Sequence, residues 1–281
     1  MKLVINVVII IIGAMGFVAQ AAYQNEIGIV YSVDEYSPSN DKLTTAGLLG
    51  RHFFGVVDDD KGPHLEAAFL DPESSLALAY INIDGEDGTD SANNLDIKGY
   101  LVNGRWITAN KKIELELEYT QFKASPGSSK GKFTALTLGY YVQANAEVSI
   151  EFGKTSYTDS IFDTADLIGI SYENLLSLNN KQFIKFELEY SEETDTFSIP
   201  IPKETTKIVE LSADYYFSRS TGLGVSYDKY SDAIEQKVLG IRISHYFNPR
   251  IELIVGFETT DAKITVDDDS DKFDLSLTYR L

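Results

Sequence analysis

The chain is 281 residues long, with a formal net charge of −19 at pH 7, no cysteine, a single tryptophan, 17 tyrosines and 15 phenylalanines. Such acidity excludes a nucleic-acid binder, whose affinity rests on basic patches facing phosphate. The lack of cysteine excludes disulfide frameworks, thiolate metal sites and cysteine nucleophiles together, and the wealth of tyrosine suits residues that belt a membrane interface.

Met1-Lys2 is followed by an apolar stretch from Leu3 to Val18 and then by Ala19-Gln20-Ala21. A positive start, an apolar run and small residues at Ala-x-Ala spacing predict a secretory leader over 1–21, cleaved before Ala22. Asn6 and the Ala-x-Ala favour this over a retained anchor. No later run reaches the ~18–20 apolar residues of a helical span, so residues 22–281 are expected to form one domain that crosses a membrane, if at all, by strands.

From Glu26 onward the chain alternates apolar and polar residues in segments bounded by turn residues, which is the strand period. Segments in one direction are predicted to start near Glu26, Ser74, Lys112, Ala146, Gln182, Thr221 and Ile251. Their return partners start near Leu43, Asn93, Lys132, Ala165, Thr205, Gln236 and Asp271, giving fourteen strands. Short turns around 109–110, 143–145, 177–181, 218–220 and 248–250 alternate with longer polar connections at 85–92, 124–131, 158–164, 192–204 and 261–270. That is the layout of an all-β, transmembrane antiparallel β-barrel in the outer membrane, with periplasmic turns and extracellular loops. All seven prolines fall in connections, where a missing N–H breaks no ladder.

One face of each strand is apolar, as in Ile113/Leu115/Leu117/Tyr119, and the other is charged. In chain order the predicted pore-lining residues are Glu114, Glu116 and Glu118, then Glu147 and Glu151, then Lys185, Glu187 and Glu189. They continue with Glu210 and Asp214, Arg242, Glu252 and Glu258, and finally Asp274 and Arg280. Inward bases read from the alternation are few: Lys98, Lys185, Arg242 and Arg280. Alternate carboxylates on a strand lie roughly 6.5–7 Å apart. Their repulsion is about 0.6 kcal/mol per pair in water and about 2.4 at an effective dielectric of 20. A dry interior would therefore be costly, and a water-filled lumen with a preference for cations is expected.

The last strand, Phe273-x-Leu275-x-Leu277-x-Tyr279-x-Leu281, is predicted to pair with Ile27–Ser32, because no open edge is tolerated in lipid. Its alternation resembles the C-terminal signal by which bacterial barrel assembly machinery recognises its clients, with Leu281 where that signal usually has Phe.

The stretch Gly62-Pro63-His64-Leu65-Glu66-Ala67-Ala68-Phe69-Leu70-Asp71, followed by Ser74-Ser75-Leu76-Ala77-Leu78-Ala79-Tyr80, resembles proteins described as putative general bacterial porins of Gram-negative bacteria. The resemblance implies an outer-membrane barrel passing small hydrophilic solutes, in contact with membrane lipid and lipopolysaccharide. It carries over no catalytic or ligand residue. Neither a Gly-x-Ser-x-Gly elbow, a phosphate loop nor a His-Glu-x-x-His pair is present, so no cofactor or metal is expected. Of three histidines, His245 reads as interfacial packing, His64 lies in the one long periplasmic connection, and His52 with an inward serine is the one route to a lipid-modifying enzyme. The clusters Asp58–Asp60, Asp84–Asp90 and Asp267–Asp269 lack calcium-loop spacing and read as solvated loop tips; the alternative for the two outer ones is weak divalent binding against lipopolysaccharide. A non-conducting adhesive or structural barrel is the other reading of the whole.

Overall fold

The computed structural model describes residues 22–37, 41–86, 94–125, 129–158, 162–178, 181–197, 202–232, 235–262 and 269–281. The expected leader lies outside them, as do parts of the two outer acidic clusters. Fourteen antiparallel strands close into a barrel: β1 (Ala22–Ser37), β2 (Lys42–Asp58), β3 (Ser75–Glu86), β4 (Leu95–Ile107), β5 (Ile113–Ser125), β6 (Lys130–Gln143) and β7 (Ala146–Thr158). The second half comprises β8 (Phe162–Ser177), β9 (Phe183–Phe197), β10 (Glu204–Ser218), β11 (Thr221–Asp232), β12 (Gln236–Asn248), β13 (Ile251–Ala262) and β14 (Asp269–Arg280). Each strand pairs with its sequence neighbours, and β14 pairs with β1 from Glu26↔Arg280 to Ser37↔Asp269. The backbone of Leu281 extends the seam, its N–H donating to Asn25 O at 2.8 Å. Strand count, sequence order and the closing pair all match the sequence expectation. Among the described residues, no helix is long and apolar enough to cross a membrane.

The outer face explains where this barrel resides. Leu48, Leu78, Val102, Leu117, Leu138, Ile150, Leu188, Val225 and Ile243 all stand exposed on it. A contiguous apolar band of this kind would aggregate in water and is stable only against lipid. Phe54, Trp106, Tyr140, Phe217 and Phe247 mark its rim at the short-turn end, and Tyr100, Tyr119 and Tyr190 mark the other, matching the two aromatic girdles of outer-membrane barrels. Beyond the upper row the strands continue with polar outward residues such as Glu192 and Lys154, so the barrel wall projects past the bilayer.

One connection does not behave as a turn. Between β2 and β3, a short 3-10 turn (His64–Glu66) runs into a single helical turn, α1 (Ala67–Leu70). Leu65, Phe69 and Leu70 pack on Leu175 of β8, Phe183 of β9 and Tyr216 of β10, while Ala67 joins Tyr23, Phe53 and Val57 of β1 and β2. Partners on both sides of the barrel can meet one segment only if it lies across the lumen. The long periplasmic connection of the sequence reading is an internal plug.

Candidate conduction pathway

The structure places the sequence-predicted lumen residues on the inner face, in two different environments. The first is the upper wall of β5, β7 and β9–β11. Glu189, Glu210 and Asp228 stand directly opposite one another on three neighbouring strands. Glu151 faces Glu116 across Thr137 of β6, and Glu118 lies diagonally from it, opposite Ala135. No ion pair neutralises Glu118, Glu151, Glu189, Glu210 or Asp228 among the described residues, and side chains on neighbouring strands lie only ~5 Å apart. A lumen cavity of about 340 Å³ is lined by Glu189, Glu210 and Asp228, and a second of about 380 Å³, between the plug's Leu65, Glu66 and Phe69 and the wall, reaches Glu116 and Glu147.

The second environment is the periplasmic end, where the plug's tethers consume the charges. Lys185 holds Glu66 of the plug at 3.0 Å, Glu173 at 2.9 Å and Glu187 at 2.6 Å. The Tyr216 hydroxyl donates to Glu66, and Ser212 donates to Glu187 at 2.7 Å. Arg280 is only 4% exposed. It is stacked between the rings of Tyr23 and Tyr246, at 4.4 and 4.9 Å, and donates to Glu26 at 3.0 Å and to the His64 carbonyl at 2.7 Å. Arg219, in the β10–β11 turn, donates to Gly62 O at 2.8 Å and to the Asp59 carbonyl, while the His64 N–H donates to Arg219 O at 2.8 Å. The plug's outer edge is pinned by Asp71, which takes Lys61 at 2.5 Å, Lys111 at 2.7 Å and the Asp58 N–H at 2.9 Å. Burial alone would raise the Asp71 carboxyl, but the ammonium groups of Lys111 and Lys61 outweigh it and hold it below the usual carboxylate range.

Four predicted lumen residues, Glu114, Asp214, Glu252 and Arg280, are therefore buried rather than solvated. Glu114 accepts two bonds from Arg105, at 2.9 and 2.6 Å, and one from Tyr141 at 3.2 Å. Arg105 is one of three inward bases that the sequence reading missed, with Arg51 beside Glu26 and Lys272 beside Glu258. The alternation Asn103-Gly104-Arg105-Trp106 was the available signal, since Trp106 outward forces Arg105 inward. Lys98, expected to face inward, instead shares the outward side of β4 with Tyr100 and Val102, exposed and bonded to Asp96.

Several other expectations change. Asp59 is 1% exposed and lies 3.1 Å from His64, so it is no solvated loop tip. His52 is on the outer face, bonded to Asn25 at 2.9 Å and edge-on to Phe54, where it cannot meet an inward serine. His245, bonded to Thr221 at 3.0 Å and edge-on to Phe247, packs at the periplasmic interface.

Residues 1–280 match the model of the family described as putative general bacterial porin. The chain belongs to that family. None of the curated proteins compared matches it at a significant level. Among solved structures, the Acinetobacter baumannii outer membrane protein Omp33 is similar at 16% identity and TM-score 0.61, covering 93% of this chain and 99% of that one. A structure described as a bacterial polysaccharide outer membrane secretin is similar at 11% identity and TM-score 0.56, covering 92% and 99%. At these identities the likeness is one of fold, and with the family and the apolar belt it places the protein in the bacterial outer membrane as a channel-type barrel.

Proposed function

We propose that this porin passes small hydrophilic solutes passively with a preference for cations, and that it is not an enzyme. The observation that carries the reading is the upper wall, where Glu189, Glu210 and Asp228 line a lumen cavity and Glu118 and Glu151 share the inward face, all five without an ion-pair partner among the described residues. Rings of acid in a wet pore concentrate cations and repel anions. The plug sets the narrow end of the path, so unit conductance is expected to be small. Export on a leader of residues 1–21 and folding by the barrel assembly machinery complete the reading; intact mass of the membrane-inserted protein starting at Ala22 checks the leader.

The test is single-channel recording in a salt gradient on the parent and on E118Q/E151Q/E189Q. These substitutions keep shape and hydrogen-bonding capacity and touch neither the lipid face nor the plug. The reversal potential should move toward zero in the triple variant. The shift should be largest at low salt, where the screening length is about 30 Å at 0.01 M against about 3 Å at 1 M. An open channel whose selectivity is unmoved would remove the cation preference, and a parent that never conducts would favour a structural barrel.

A further inference from the structure

Across β10 to β14 the register sets charged and glycine residues alternately in one row: Asp214↔Gly224, Gly224↔Arg242, Arg242↔Gly256 and Gly256↔Asp274. Arg242 and Asp214 are two strands apart, yet the guanidinium donates twice to the carboxylate, from Nε at 2.9 Å and from Nη2. The pair joins directly over Gly224. A Cβ built at Gly224 would sit 2.1 Å from Asp214 Oδ1, 2.7 Å from Arg242 Cγ and 2.8 Å from Arg242 Nε. At Gly256 it would sit 2.1 Å from Asp274 Oδ2. The row borders a lumen cavity of about 450 Å³ whose far side is Leu65 and Glu66 of the plug.

We infer that Gly224 and Gly256 are selectivity-determining positions of the lumen, because their missing side chains form the floor on which Arg242 is laid flat into Asp214 and Asp274 is laid against the wall. This rests on the reading of the barrel as a cation-preferring pore. Asp214 is short and 3% exposed, whereas Arg is long. A methyl group at Gly224 therefore displaces both partners, but the short carboxylate can shift only slightly along the wall whereas the long guanidinium swings toward the axis. A bidentate pair, otherwise neutral in the pore's field, becomes a projecting positive charge. The nearest atoms met by the built Cβ belong to side chains rather than backbone, so the strand ladder can form with the substitution in place once those side chains turn aside.

The experiment compares G224A with the parent, both in the native background and with R242Q, in single-channel recordings under a salt gradient. Moving one charge several ångströms into wet lumen should lower the cation-to-anion permeability ratio about twofold. R242Q alone should raise the ratio, and adding G224A to it should change nothing further. G104A, on the outer face of β4 where a Cβ meets nothing within 4 Å, should match the parent. G256A should turn the Asp274 carboxylate toward the axis and raise the cation-to-anion ratio; an unchanged ratio there overturns the role of Gly256. A second measurement works without conduction: labelling of Arg242 by a small dicarbonyl reagent, located by peptide mass, should be severalfold faster in G224A. An unchanged ratio in G224A, an equal shift in both backgrounds, or unchanged labelling overturns the inference. A silent parent with faster labelling in G224A would instead overturn the porin reading and leave this positioning role standing.

Discussion

The interior of this barrel has two halves that share strands, alternation and acidity but not state. On the upper wall, carboxylates face one another across neighbouring strands without bases. At the periplasmic end, similar carboxylates on the same strands are saturated: Glu187 by Lys185 and Ser212, Glu66 by Lys185 and Tyr216. On β9 itself, Glu189 belongs to one half and Glu187, two residues away, to the other. What separates them is a segment outside the sheet. Where His64–Leu70 lies across the lumen, water is displaced and each charge needs a partner at hydrogen-bond distance; above it, water serves as the partner. Lumen chemistry in such a barrel is thus decided by what occupies the cross-section, and strand pattern alone supplies only the list of candidates.

The largest expected effect abolishes the comparison. Removing Phe273–Leu281 takes away most of β14, leaving ladder groups of β1 and β13 unpaired in lipid at several kcal/mol each. It also removes Arg280 from the plug's seat. No heat-modifiable, protease-resistant barrel should form; one that does would mean that the closing pair is dispensable.

A sharper cut falls on Lys185. K185M leaves Glu66, Glu173 and Glu187 together without their cation, a broken buried ion cluster worth about 3–5 kcal/mol. The temperature of heat modification should drop markedly, whereas E118Q on the open wall should leave it in place. Equal shifts for the two variants would show that the halves are not electrostatically distinct.

Exchanging His64–Leu70 for a Gly/Ser segment of equal length should turn the dry half into the wet one. The barrel ladder is untouched, but the packing of Leu65, Phe69 and Leu70 on Leu175, Phe183 and Tyr216 is lost. Unit conductance should rise severalfold, since ~14 strands enclose more cross-section than side chains alone can fill. Conductance equal to the parent's would place the narrowest point elsewhere.

The sheet was legible in the sequence because each strand carries its own period-two record: Ile113 to Tyr119 outward forces Glu114 to Glu118 inward whatever the neighbours do. Closure was legible for the same reason, from Phe273 to Leu281. The plug was not. Gly62 to Asp71 has no strand period, and its place is fixed by Lys185, Tyr216, Arg219 and Arg280, contributed by three strands and a turn far along the chain. Nothing local encodes that meeting. The same gap hid the burial of Glu114 and Glu252, whose inward direction follows from alternation but whose dryness follows from tertiary contacts. The role of Gly224 was hidden differently: a glycine in a strand reads as a weakness until register shows which side chains cross above it.

The smallest effect expected concerns the plug's outer edge. Asp71 is ionised in its tether to Lys61 and Lys111, and its carboxyl is held below the usual range by those ammonium groups. A group whose folded-state pKa is depressed stabilises the fold above its unfolded value, ~3.9 for aspartate, and that contribution fades as pH falls through the lower folded value. D71N should therefore be less stable than the parent at neutral pH by about 1 kcal/mol or less, since Lys61 and Lys111 are each substantially exposed. The gap should stay constant down to about pH 4 and close below it as the parent's own carboxyl is protonated. Heat-modification midpoints of parent and D71N across acidic buffers measure this directly. A gap that closed well above pH 4 would show that the two lysines do not hold Asp71 in its charged form, and that the plug's edge is fixed by its backbone contacts instead.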